Sequence, residues 1–226
     1  MRPDSLRVLL LSAACTLTAC PSPTPSGPDA GTPPVDSGTP DSGTPPEVTR
    51  SSRNNLRFKG PERLALDFAS ALSLPVEQVC NELGQYPCTT SVHTVALGGV
   101  EPYGLGFYEP LPFTGVTTPI AVDRVALAAC GQRVTLDVTT PSTAVIFGGI
   151  ALDAQGRLAS REGEPVKNAI TALYQRALLR DPTEAEVGTL VQLSTDIEST
   201  GSTTPGRDWM KAACFAVLSS AESVFF

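Results

Sequence analysis

The sequence predicts a mainly α-helical fold, a disulfide-linked domain that ends in a three-helix bundle. Three observations predict it. Apolar residues recur at the helical period of 3.6 in several separate stretches after residue 60. Prolines stand where the first turns of those stretches would begin. Six cysteines are present, and four of them remain once the amino-terminal segment is set aside.

Residues 1–19 predict a secretory signal peptide. Arg2 and Arg7 precede the apolar run "VLLLSAACTLTA", which is too short to cross about 30 Å of hydrocarbon as a stable helix. The run closes on Leu17-Thr18-Ala19-Cys20, which resembles the lipobox of bacterial lipoproteins. The resemblance implies cleavage before Cys20 and acylation of its sulfur by two or three chains, which would anchor the protein stably. The alternative is an ordinary signal peptide with a chance cysteine.

Residues 20–48 predict an unfolded tether behind that cysteine. They hold nine of the 21 prolines and a degenerate D-A-G-T-P or D-S-G-T-P repeat. So few apolar side chains cannot offset the entropy of ordering the segment. It would span roughly 30 Å as a flexible coil and up to about 85 Å as polyproline II. Residues 49–226 are then expected to form a single mainly helical domain.

The sequence of the first part of that domain predicts three helices. One begins at Pro61 and another, short one begins near Pro75. A longer one begins at Thr118 and points Cys130 inward, because that cysteine lies on its apolar face. The inward positions of the three are Leu64, Phe68, Ala71 and Leu72; Val76, Val79, Cys80 and Leu83; and Val122, Val125, Ala126, Ala129, Cys130, Arg133 and Val134.

Residues 165–226 predict the three-helix bundle. Its first helix begins at Pro165 and places apolar side chains at each position of the amphipathic template. Thr183 and Glu186 have the spacing of a capping box and begin the second helix. The third follows the loop "ESTGSTTPG" and carries Cys214 on its apolar face.

Two segments are less regular. Residues 92–97 alternate weakly and predict a strand, whereas the rest of the stretch to residue 115 is rich in Gly, Pro and aromatic residues and predicts an ordered loop or short hairpin. Residues 142–158 contain a β-branched run interrupted by a Gly-Gly pair. We expect a packed, irregular segment there.

The four remaining cysteines predict two disulfides, because an even number in an exported chain favours pairing. Three connectivities are possible. We favour Cys80–Cys88, which brackets a tight turn, and Cys130–Cys214, which would join the inward faces of two helices. A four-thiolate metal site is disfavoured because the paired C-x-x-C spacing is missing. No metal or other cofactor is predicted.

Several chemistries are excluded or disfavoured by the sequence. His93 is the single histidine, so multi-histidine metal sites and H-E-x-x-H are excluded. The haem-attachment pattern C-x-x-C-H, the G-x-S-x-G elbow and the P-loop are absent. Net charge is −7 and no cluster of Lys and Arg is present, so nucleic acid is not an expected partner.

The loop of residues 98–115 is the candidate binding surface. Two carboxylates flank aromatic side chains there, and rings and acids in this arrangement suit stacking on a sugar and glycoside chemistry. Aromatic residues between Gly and Pro also commonly cover the edge of a core, and this packing role is the simpler interpretation. The candidate residues are Glu101, Tyr103, Phe107, Tyr108 and Glu109.

Two further resemblances concern the ends of the chain. The stretch "ALYQRALLRDPTEAEVGTLVQL…WMKAACFAVLSSAESVFF" is similar to a three-helix module of secreted planctomycete and myxobacterial proteins associated with cytochrome-type domains. Its matching features are Arg180-Asp181-Pro182, Glu186 and Ser220-Ala221-Glu222, and it implies no catalytic residue. The lipobox with its Pro-rich tether resembles myxobacterial outer-membrane lipoproteins, some of which serve gliding motility or adhesion.

Together these observations predict a non-enzymatic lipoprotein of the cell envelope. It would be anchored at the outer membrane through Cys20 and would act as an adaptor or structural component that binds other envelope proteins, for instance in a gliding-motility or adhesion complex. The alternative is a membrane-anchored hydrolase or carbohydrate-binding protein that uses residues 98–115.

Overall fold

The computed structural model describes residues 56–101, 103–106, 108–110 and 115–226. The predicted signal peptide, the predicted lipidation site Cys20, the predicted tether and Phe107 all lie outside the described residues. Within them the predicted fold class is confirmed: the chain is mainly helical, with one two-stranded hairpin.

The helices begin and end close to the positions that the apolar periodicity predicts. They are α1 (Gly60–Leu72), α2 (Thr118–Thr139), α3 (Glu164–Ala177), α4 (Glu184–Ser199), α5 (Pro205–Leu218) and the short α6 (Ala221–Val224). The strands are β1 (Asn81–Glu82) and β2 (Tyr86–Pro87), which pair antiparallel. Single turns of 3-10 helix cover Val76–Gln78 and Pro141–Thr143, and a π-helical turn covers Cys88–Val92.

The core is built around α5, which packs against α2 on one side and against α3 and α4 on the other. The indole of Trp209 on α5 is fully buried, and its Nε1 donates a hydrogen bond to the carbonyl of Leu190 on α4 at 2.7 Å. Helix α1 lies against α2 and α3. The three carboxy-terminal helices therefore bury their apolar faces partly against α1 and α2 rather than only against one another.

The carboxyl end of α1 is held by two arginines from neighbouring helices. Arg133 of α2 donates to the carbonyl of Leu72 at 3.3 Å, and Arg176 of α3 donates to the carbonyls of Ala71 and Ser70. The last carbonyls of a helix have no partner within it and carry partial negative charge. The two guanidinium groups supply both the missing hydrogen bonds and the complementary charge.

The prediction of a short helix that begins near Pro75 is wrong. Only Val76–Gln78 is helical, as one 3-10 turn, and the chain then forms the β1–β2 hairpin. Leu83 and Gly84 both have positive φ, at 53° and 71°, in the three-residue turn between the two strands. This turn places Leu83 in solvent, 85% exposed, rather than on a buried helical face.

The prediction of a strand at residues 92–97 is also wrong. The N–H of His93 donates to the carbonyl of Cys88 at 2.7 Å, and the N–H of Leu97 donates to the carbonyl of His93 at 2.9 Å. Because these amides bond within the segment, they are not available to a neighbouring strand. Leu97 is nevertheless fully buried and anchors the segment in the core.

The segment of residues 142–158 is packed and irregular, as predicted. One carboxylate organises it: Asp137, at the end of α2, accepts the backbone N–H groups of Val145, Ile146 and Phe147 at 2.9, 3.0 and 2.9 Å. Phe147 is buried and meets Trp209 edge-on, with ring centroids 6.5 Å apart. The Asp137 carboxylate thus supplies the hydrogen-bond acceptors that a neighbouring strand would supply in a sheet.

Both disulfides have the favoured connectivity. Cys80 pairs with Cys88 and Cys130 pairs with Cys214, at Cα–Cα distances of 5.4 and 5.7 Å. The second bond joins α2 to α5 inside the core, where both of its cysteines are fully buried. Disulfides persist in oxidising compartments, so this is an extracytoplasmic domain. None of the described helices is long and apolar enough to cross a membrane.

Candidate functional site

The neck of the 98–115 loop is closed by one hydroxyl group. Thr118, at the first position of α2, donates from Oγ1 to the carbonyl of Ala96 at 2.6 Å and accepts the N–H of Gly115 at 2.9 Å. Thr118 itself is buried. Because a single side chain bonds the backbone on both sides of the loop, the two ends are held together at the start of α2.

A glycine seats the loop against α1. The N–H of Gly99 donates to the carbonyl of Thr94 at 2.8 Å. A Cβ atom at this position would lie 2.8 Å from Cγ of Pro61 and 2.9 Å from the carbonyl oxygen of Thr94. No larger residue fits without displacement of this backbone, so Gly99 sets the close approach of the loop to the first turn of α1.

Glu101 fixes the turn that follows. Its Oε2 accepts the backbone N–H groups of Gly104 and Leu105 at 2.8 and 2.6 Å. The structure thus gives Glu101 a local structural role, in which one carboxylate oxygen is already occupied by two donors. The turn projects Tyr103 from its tip.

The described apolar side chains of this region are exposed rather than packed on a core edge. Tyr103 is 98% exposed and Tyr108 is 75% exposed, so the packing interpretation is wrong for both. Glu109 is exposed beside them. Leu105 lies between the two tyrosines in the chain and is 63% exposed, and Val116 and Ile120, around the start of α2, are 95 and 62% exposed. We refer to Tyr103, Leu105, Tyr108, Val116 and Ile120 as the apolar surface.

The loop lies beside the point where the chain enters the domain. A cavity of about 360 Å³ separates the two and is lined by residues 57–62, 97–100, Pro110 and Phe226. The N–H of Phe226 donates to the carbonyl of Arg57 at 2.9 Å, and the preceding Phe225 ring packs edge-on against Phe58 at 5.9 Å. The first described residues are thus fixed at the same end of the domain as the loop.

His93 belongs to an ion-pair cluster outside the loop. Its Nε2 lies 3.1 Å from Oε1 of Glu82 on β1, and Glu82 also accepts two hydrogen bonds of 2.9 Å from Arg124 on α2. The hydrogen bond with His93, together with the charge and hydrogen bonds of Arg124, lowers the pKa of the Glu82 carboxyl. The cluster joins the hairpin to α2.

A second cluster collects the motif residues of the carboxy-terminal helices. Arg180 donates to both carboxylate oxygens of Glu186, at 3.0 and 2.7 Å, and to both of Glu222, each at 2.8 Å. Its guanidinium also stacks over the ring of Tyr174 at 5.1 Å. Hydrogen bonds from Arg180 and then from the backbone of Thr183 lower the pKa of Glu186 to about 2. These residues connect the ends of α3, α4 and α6.

Sequence reasoning named the capping-box residues and the individual motif residues but not this network. Glu186 serves twice, as the capping residue that accepts the N–H of Thr183 at 2.7 Å and as a partner of Arg180. The neck residue Thr118 was missed as well. Its only sequence signal is a Thr-Pro pair, which is typical of a helix start and says nothing of a distant carbonyl.

The fold and these sites define a class: an extracytoplasmic, disulfide-linked helical domain that exposes apolar side chains from a loop beside its first described residues. Comparison of the chain with protein-family models, with curated proteins and with solved structures found no match. In the part of the chain that the structure describes, no group of three or more His, Cys, Asp or Glu side chains is placed to hold a metal ion.

Proposed function

We propose that this protein is a lipid-anchored, non-enzymatic component of the bacterial cell envelope, held at the outer membrane through Cys20, that binds other envelope proteins as an adaptor. The observation that carries the proposal is the Leu17-Thr18-Ala19-Cys20 motif at the end of the apolar run, ahead of a Pro-rich spacer. The two disulfides support it, because they place the domain outside the cytoplasm. The likeness to myxobacterial lipoproteins supports a role in a gliding-motility or adhesion complex.

The side chains that would serve acid–base chemistry support the non-enzymatic proposal. A general acid or base must reach a substrate proton. Glu101 instead holds the backbone of its own turn, and His93 contacts Glu82, which also pairs with Arg124. These candidates have roles in the local structure, whereas the exposed apolar surface is suited to contact.

The anchor is tested by Cys20→Ala. The wild-type protein is expected to incorporate labelled palmitate and to sediment with membranes, whereas Cys20→Ala is expected to lose the label and appear in the soluble fraction, because its thiol is gone. Cys15→Ala is the matched control, since it removes a cysteine of the same apolar run ahead of the cleavage point. Wild-type protein without label, or Cys20→Ala protein that still sediments, would contradict the anchor.

The adaptor role is tested on intact envelopes. Chemical crosslinking followed by affinity purification of the wild-type protein is expected to recover a defined envelope protein. The same recovery should fail for Cys20→Ala, which would no longer be held beside its partner. Hydrolysis of envelope glycans by the purified protein, lost in Glu109→Gln, would replace the adaptor role with the hydrolase alternative.

A further inference from the structure

We propose that the apolar surface formed by Tyr103, Leu105, Tyr108, Val116 and Ile120 is a membrane-contact site, which rests in the headgroup region of the bilayer to which Cys20 is anchored. This inference deepens the proposed function and rests on its lipid anchor. The occupant is an uncharged lipid surface. A protein or a glycan occupant is a different outcome of the test below.

The chemistry of the exposed side chains favours a bilayer interface. Tyrosine has an apolar ring and a polar hydroxyl, and it is enriched where one end of a side chain meets hydrocarbon and the other meets water. Tyr103 and Tyr108 are 98 and 75% exposed, with Leu105 between them at 63%. Three large apolar side chains exposed within six residues of chain are a feature that marks protein or membrane interaction sites.

The turn that carries Tyr103 and the neck of the loop are held in place before any contact is made. Glu101 fixes the turn below Tyr103 through the amides of Gly104 and Leu105, and Thr118 closes the neck of the loop. A contact that needs little further ordering loses little conformational entropy on binding. The exposure of Tyr103 is therefore a consequence of hydrogen bonding in the turn.

The position of the surface suits the anchor. The first described residues share a cavity with residues 97–100, so the segment leading from Cys20 joins the domain beside the loop. The tether that the sequence predicts would, as a flexible coil from Cys20 to Leu56, have a mean end-to-end distance of roughly 33 Å. Tethering at this range gives the apolar surface a high effective concentration at the bilayer. Even a weak contact with the interface then forms for much of the time.

The charge of the region selects the kind of lipid surface. No Lys, Arg or His occurs from Thr94 to Asp123, whereas Glu101 and Glu109 are both present. Across the cavity, the only basic residues that line it are Arg57 and Lys59, and Lys59 pairs with Asp67. Attraction to anionic lipid needs clustered basic residues, which are missing from this stretch. Contact should therefore depend on apolar burial, occur on zwitterionic phosphatidylcholine and respond little to salt.

The test places a tryptophan in the surface of the full acylated chain. Tyr103→Trp protein is bound to phosphatidylcholine vesicles whose acyl chains carry bromine. Its emission should shift to shorter wavelength and be quenched about twofold or more, unchanged by added salt. The native Trp209 is fully buried in the core, so wild-type protein supplies the background to subtract.

Gln155→Trp is the matched control. Gln155 is exposed and lies near Pro205, at the start of α5. The other end of α5 is followed by α6 and then by Phe226, which lines the cavity beside the loop. The length of α5, about 21 Å, thus separates the control from the apolar surface. Equal quenching of the two probes, or none at either while vesicle binding is intact, would overturn the membrane contact.

A second arm does not depend on acylation. The mature chain, which begins at residue 20 and carries Cys20→Ala and Tyr103→Trp, is titrated with excess phosphatidylcholine vesicles. We expect weak partition, reduced about tenfold by adding Leu105→Ser and Tyr108→Ser, with an unchanged melting temperature because both positions are exposed. Two results would overturn the inference even if the lipid anchor is confirmed. One is that the protein does not partition at any lipid concentration. The other is that the emission of the Tyr103→Trp probe shifts only with isolated glycan or with envelope protein.

Discussion

Arg180 shows how single side chains hold the carboxy-terminal helices together. Its guanidinium contacts Glu186, Glu222 and the Tyr174 ring at once. Arginine suits this position because its planar group donates two parallel hydrogen bonds to each of two carboxylates and still stacks on an aromatic face. Lysine carries one point charge and cannot reproduce that geometry.

At this scale we predict a pH dependence for Glu186→Gln. The native carboxyl has a folded-state pKa of about 2, against an ordinary value of 4.5, because Arg180 and the backbone of Thr183 bind its charged form. A pKa lowered by folding contributes stability above the unfolded value, and this contribution is lost as the pH falls through the folded value. The wild-type protein should therefore be more stable than the variant at pH 7, and the gap should close between about pH 4.5 and pH 2.

Urea denaturation at a series of pH values measures that gap. Glu184→Gln, a change at an exposed neighbour in the same helical turn, is the control and should leave the unfolding midpoint nearly unchanged. A difference between wild type and Glu186→Gln that persists undiminished at pH 2 would contradict the assigned pKa.

Among the elements, long helices and short ones differ in how well their sequences specify them. Helices α2, α3 and α5 have several turns of apolar periodicity and were predicted with their buried faces. The stretch after Pro75 spans too few turns for periodicity to decide between helix and hairpin. The Cys80–Cys88 bond and Gly84, which adopts a positive φ without steric cost, favour the hairpin.

The irregular segment after α2 depends on one buried carboxylate. Asp137→Ala would remove the acceptor of three backbone N–H groups and the partner of Arg133, which lies 2.7 Å away. The Arg133 side chain is itself buried, and an unpaired charge in that position is costly. We predict a loss of about 3–5 kcal/mol in the free energy of unfolding.

Chemical denaturation of Asp137→Ala beside Asp196→Ala checks this prediction. Asp196 is an exposed acid on α4, and its removal should change the free energy of unfolding by no more than about 0.5 kcal/mol. If both variants lose the same small amount, Asp137 does not organise the segment.

For the whole molecule, the Cys130–Cys214 bond has the larger expected effect. It joins residues 84 positions apart, whereas Cys80 and Cys88 are eight apart. A longer loop restricts the unfolded chain more, and the chain-entropy model gives about 4.6 kcal/mol for the long loop and about 2.6 kcal/mol for the short one. Cys130→Ala/Cys214→Ala should therefore unfold at a lower urea concentration than Cys80→Ala/Cys88→Ala.

Both double variants remove buried sulfur atoms, so each leaves a cavity as well as a longer free loop. Unfolding of the two under oxidising conditions, compared with wild type, provides the ranking. The reverse order, or equal midpoints, would show that the long bond does not link α2 and α5 in the way the chain-entropy model requires.

The sequence alone determined the properties that repeat or lie close together along the chain: the long amphipathic helices, the capping box at Thr183, and the number of cysteines available for disulfides. It also identified the 98–115 loop, but not whether its rings face the core or the solvent. Only the tertiary structure decided that: Gly99 seats the loop on α1, Thr118 closes its neck, and Tyr103 and Tyr108 are exposed beyond these contacts. Local periodicity records which face of a helix is buried, whereas contacts between distant residues, such as Arg180 with Glu222, leave no regular signal along the chain.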